Sequence, residues 1–153
     1  MDERSRKAVT SEQSNDGEQY LPATFAIFPE KLEGQGRSFG LLLLHRRCAA
    51  CWGALIQEPA GGLELPWQDH LVKIAEHCSA NQDFVSPGLP IMEAVFRVLL
   101  SNGNQPTTLE EVLAVLQKQW SDSASHWVPP PAKLHRMLTR DVFYGIGSVP
   151  PPT

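Results

Sequence analysis

The chain opens on a stretch, Met1 to Tyr20, that is polar and nearly free of large apolar groups. Such a segment buries too little surface to offset its ordering entropy, which predicts a flexible tail. The pattern changes at Leu21. Thr24-Phe25-Ala26-Ile27-Phe28 reads as a strand stopped by Pro29, and Glu33-Gly34-Gln35-Gly36 reads as a turn. Ser38 to His45 (SFGLLLLH) is a short apolar run that periodicity alone cannot divide between strand and helix. The simplest expectation is a buried strand in a β-hairpin that delivers Arg46-Arg47-Cys48 into a tight turn. Gly61-Gly62 marks a loop. Beyond Pro66, the residues Trp67, Leu71, Ile74 and Ala75 recur at helical spacing and predict a helix from Trp67 to about Cys78.

The second half is patterned for helices. Pro90 suits a first turn, and Ile91, Met92, Val95, Val98 and Leu99 then follow a helical period that Asn102-Gly103 stops. Thr108 and Glu111 have capping-box spacing ahead of Leu109, Val112, Leu113, Val115 and Leu116, which predicts a helix to about Trp120. A polar loop, Ser121 to Ser125, separates it from a third helix opened by Pro129-Pro130-Pro131 and carrying Leu134, Met137 and Leu138. Val142-Phe143-Tyr144 is a short strand candidate stopped by Gly145, and Pro150-Pro151-Pro152 cannot join a sheet interior.

A chain of 153 residues has room for one domain or two very small ones. The expected class is α+β: a flexible tail (1–20), a β-hairpin/helix unit (21–84) that holds all three cysteines, a three-helix unit (85–149) and a short end (150–153). Hydrophobic residues at 42% permit a packed core, and a net charge of −4 argues against coating nucleic acid by bulk electrostatics. No apolar run approaches the roughly 20 residues that span a bilayer. The polar N-terminus shows no secretory signal, so the expected location is cytoplasmic.

Three cysteines suit a disulfide framework poorly, whereas a CxxC in a reducing compartment points to metal or redox chemistry. Cys48-Ala-Ala-Cys51 offers two thiolates that can grip one tetrahedral ion, and Cys78 offers a third. The fourth ligand lies between His70 and His77. Adjacent residues point about 100° apart on a helix, so His77 and Cys78 could both bind only if the helix distorts. His70 and Cys78 could meet only if the helix ends or bends, because eight residues rise roughly 12 Å. A redox pair would want CxxC at a helix start, and Cys51-Trp52-Gly53 opens no obvious helix.

The order Cys48-x2-Cys51, Pro66-Trp67-Gln68-Asp69-His70, Cys78 resembles the zinc centre of BIR domains. There a CxxC turn is followed by a Pro-Trp-x-x-His helix start and a last cysteine. The resemblance implies His70 and Cys78 as the remaining ligands of a structural zinc. The stretch Pro90 to Pro106 resembles uncharacterised small bacterial proteins that join a Cys/His segment to a winged-helix-like unit.

In the helical half, the predicted order of three helices and a strand resembles a winged-helix domain, whose third helix enters the major groove. Lys133, Arg136 and Arg140 share one face of that third helix, with Leu134, Met137 and Leu138 largely on another. From Pro90 onward the charges balance: Arg97, Lys118, Lys133, Arg136 and Arg140 against Glu93, Glu110, Glu111, Asp122 and Asp141. The expectation is a DNA-binding transcriptional regulator with double-stranded DNA as partner. The alternative is a protein-interaction adaptor using the same helical module. No nucleophile–base pair or nucleotide fingerprint is visible, so the expectation is a non-enzymatic protein.

Overall fold

The computed structural model describes residues 17–62, 64–121 and 127–150. The polar N-terminal stretch up to residue 16, most of the Ser121–Ser125 loop and the chain end from residue 151 lie outside the described residues. Strand β1 (Thr24–Ile27) is followed by helices α1 (Pro29–Glu33), α2 (Phe39–Leu44), α3 (Ala49–Leu55) and α4 (Trp67–Glu76). Then come α5 (Ile91–Ser101), strand β2 (Thr107–Thr108), α6 (Leu109–Gln119), α7 (Pro131–Thr139) and strand β3 (Ile146–Ser148). The class is α+β, and the helices of the second half start and stop close to where their apolar period and caps place them.

The N-terminal half departs from the expected hairpin. Phe39–Leu44 is a helix, because leucine is a strong helix former without a β-branch and Ser38 caps the first turn. The Ser38 hydroxyl accepts the Leu41 N–H at 3.1 Å. Phe39 and Leu43, one turn apart, face the core and Leu41 faces outward. Cys51-Trp52-Gly53 also lies inside a helix, α3, with Cys48 as its N-cap residue. Its alanines and Leu55 outweigh the cost of one exposed glycine.

The three strands form one antiparallel sheet in the order β2-β1-β3. Phe25 faces Thr107 on one side and Ser148 on the other, and Ile27 pairs with Ile146. The central strand therefore comes from the N-terminal half and both its neighbours from the C-terminal half. Asn104, at φ 60°, extends the β2 side: its amide donates to Ile27 O at 2.9 Å and accepts the Ile27 N–H at 2.8 Å. The strand expected at Val142–Tyr144 forms later, at Ile146–Ser148. Asp141 explains the shift, since its carboxylate accepts the backbone N–H groups of Phe143, Tyr144 and Ile146 at 3.0–3.2 Å. Those donors hold a turn around the acid, and Gly145 at φ 74° completes it.

One apolar cluster runs from Phe25 and Leu43 through Ile74, Phe96 and Leu99 to Leu116, Leu134 and Ile146. It crosses the boundary expected near residue 84, so the two expected units share a core as well as a sheet. Tyr20, assigned to the tail by pattern, stacks on His135 of α7 at 4.3 Å between ring centroids. Among the described residues no helix is long and apolar enough to cross a membrane.

Candidate metal centre

Three elements bring the cysteines together. Cys48 leads into α3, Cys51 sits in its first turn, and Cys78 follows the end of α4. Helix α4 stops at Glu76, and His77 leaves helical geometry at φ −128°, ψ −59° before a 3₁₀ turn over Cys78–Ala80. That break turns the neighbouring His77 and Cys78 side chains toward one point. The ligating atoms of Cys48, Cys51, His77 and Cys78 all lie within 4.8 Å of one another. The Cys51 and Cys78 sulfurs are 3.4 Å apart, and His77 Nδ1 is 3.3 Å from the Cys48 sulfur and 3.5 Å from that of Cys51. Two sulfurs each about 2.3 Å from a tetrahedral ion lie roughly 3.8 Å apart, so small movements would seat one ion.

His70, the ligand that the BIR resemblance implies, is not in this group. It is 1% exposed and makes its contacts elsewhere. Its Nε2 lies 3.1 Å from Gly62 O and its Nδ1 lies 2.8 Å from Arg47 Nη1. A guanidinium only donates, so Nδ1 accepts and Nε2–H donates to the carbonyl. That fixes the neutral imidazole. Burial, with the Arg47 charge adding to it, holds the His70 pKa below its ordinary value against the opposing Gly62 hydrogen bond. The helix break at His77 was the signal that sequence spacing could name only as a condition.

The thiols differ in acidity. Desolvation pushes the Cys48 thiol up, but hydrogen bonds from the Cys51 amide and from Cys78, Cys51 and His77 outweigh it and bring the pKa to about 6. Burial, opposed by the Cys48 amide and assisted by the neighbouring thiols, pushes Cys78 up to about 11. The Cys48 thiol therefore ionises more readily than that of Cys78, which holds its proton more tightly. Loading a metal at neutral pH must expel that proton, because only thiolates ligate.

Lys133 and Arg136 on α7 and Arg140 at its C-cap are exposed, while Leu134 and Leu138 are buried. Lys133 Nζ stands 4.7 Å over the Trp127 ring. Among the described residues none of the three cations forms an ion pair. The fold and site thus define an α+β protein with a Cys/His group that can hold one metal ion. No protein-family model matches the chain, and neither a curated protein nor a solved structure does.

Proposed function

We propose that this protein is a zinc-stapled DNA-binding protein, a transcriptional regulator, with α7 as the helix that meets the duplex. The observation that carries the reading is the exposed face of Lys133, Arg136 and Arg140, free of ion pairs among the described residues, above buried Leu134 and Leu138. Long cations outside and apolar anchors inside are what a groove-reading helix needs. The Asp141 carboxylate, next to Arg140, is engaged by backbone N–H groups. The order α5, β2, α6, α7, β3 is in keeping with a winged-helix arrangement, though the third strand, β1, comes from the N-terminal side. Three thiolates and one imidazole are a donor set suited to zinc, and four protein ligands leave no open position for catalysis. The zinc in this reading is structural: it ties the start of α3 to the end of α4.

Fluorescence anisotropy of the zinc-loaded chain against random duplex pools tests the function. Binding should weaken steeply with salt, and a phosphate-contacting Lys133, Arg136 or Arg140 changed to alanine should lower the salt slope by about 1. A change at a base-reading position should cost about 1–3 kcal/mol and relax one position of the site. Folded, zinc-loaded protein that binds no duplex at low salt would overturn the reading. The adaptor alternative, using the same helical module, draws on its exposed apolar residues Trp127, Val142 and Phe143.

A further inference from the structure

Among the described residues, Arg47 is the one with a buried side-chain nitrogen that has no hydrogen-bond partner. It is 9% exposed, and its Nε is buried without a hydrogen bond. Its Nη1 is spent on His70, a neutral ring that supplies no negative charge. Among the described residues Arg47 forms no ion pair. A buried guanidinium ordinarily has a carboxylate, because taking the charge out of water is costly unless it is paired and hydrogen-bonded. Here no carboxylate lies within ion-pair distance among the described residues, and the guanidinium keeps donors beyond the one spent on His70 that a carboxylate could accept.

Arg47 also lines a cavity of about 360 Å³ between α3 and α4, walled by Leu55, Leu65 and Val72. That volume is at the small end for ligand sites, which are mostly apolar with a few placed polar groups. Glu58, Asp69 and Lys73 also line it. Glu58 and Asp69 disfavour a multiply charged anion such as phosphate, and the apolar walls call for a hydrocarbon rather than a polar body. A single carboxylate on a small apolar body meets both conditions.

We infer that the cavity beside Arg47 binds a small apolar monocarboxylate, its carboxylate on Arg47 and its hydrocarbon against Leu55, Leu65 and Val72. The site does not involve α7, so it stands whether or not the protein binds DNA. Arg47 directly precedes Cys48, and the cavity is bounded by α3, which carries Cys51, and by α4, which ends just before His77.

The test uses the full zinc-loaded chain and a probe series of acetate, hexanoate, octanoate and benzoate, with octanol as the uncharged control. Thermal melting and NMR titration should show saturable binding of at least one of the larger acids, with octanol roughly tenfold or more weaker. Two variants locate it. Arg47→Met removes the charge, with elemental analysis confirming that metal is retained. Val72→Trp fills the cavity from a half-exposed position that does not threaten folding. Both should abolish the shift. Failure of every acid to bind would overturn the inference, as would equal binding of octanol or unchanged binding to Val72→Trp.

Discussion

His70 lies within α4 and His77 just past its end, and the structure places the two imidazoles in different surroundings. His77 lies with the three sulfurs, and His70 bridges Arg47 and Gly62 O in the interior. His77→Ala should therefore lower metal content in elemental analysis, while His70→Ala should retain metal and lose stability. The second change leaves the Arg47 guanidinium and the Gly62 carbonyl without a partner, a cost of about 1–3 kcal/mol in urea unfolding. The opposite ranking of metal loss would reassign the fourth ligand. The depressed pKa of His70 carries a pH signature as well. The folded state prefers the neutral ring, so the unfolded chain binds more protons below its ordinary pKa of about 6.5. Stability from this group is complete above that value and is lost as pH falls below it. Unfolding titrations of wild type should show stability falling as pH drops below about 6.5, and a His70→Gln variant should slope less.

At the scale of elements, Glu93 ties α5 to the chain beyond α2. Its carboxylate accepts from Arg46 at 2.7 and 2.9 Å and from Arg97 at 2.8 Å, with Arg46 and Glu93 nearly buried. Burial pushes the Glu93 pKa up, but the two arginines outweigh it and hold it below the usual range. Glu93→Gln would leave two cations facing a neutral amide and should cost about 3 kcal/mol in chemical unfolding. A change under half a kilocalorie, on the order of a surface substitution, would show that the triad is only a surface contact. The capping box of α6 is a second element-scale device: the Thr108 hydroxyl accepts the Glu111 N–H at 3.1 Å and Glu111 accepts the Thr108 N–H at 3.0 Å. Thr108→Ala should cost about 1 kcal/mol, read from a shifted urea midpoint with an unchanged slope. That box was legible from two letters three residues apart. The state of Phe39–Leu44 was not, because six residues cannot display a period, and a four-leucine run satisfies a buried strand and a buried helix equally.

The whole molecule is held by a connection that neither half contains alone. Strand β1 sits between β2 and β3, and the apolar cluster is continuous across both halves. A fragment beginning at residue 85 would carry β2 and β3 without the strand that pairs them. Expressed alone, it should show no cooperative thermal transition by circular dichroism, whereas the full chain should melt as one unit. Independent folding of the fragment would restore the two-unit organisation. Metal removal belongs to the same scale. Because the cysteine cluster joins α3 to the end of α4, and α4 packs on the shared core, chelation should lower the melting point of the full chain in one transition. Cys51→Ser should mimic it.

The helices of the second half, their caps and the presence of three thiols and a histidine near one another in sequence were determined locally. Helical period, capping and turn chemistry act over a few residues, so the letters carry them. What only the tertiary structure decided was every question of distance. The break at His77 that aims two adjacent side chains at one point depends on how α4 ends against its surroundings. The burial of His70 depends on Arg47, 23 positions earlier, and the sheet depends on strands separated by most of the chain. Ligand identity and strand partners are set by packing between distant segments, and packing is a property of the folded molecule.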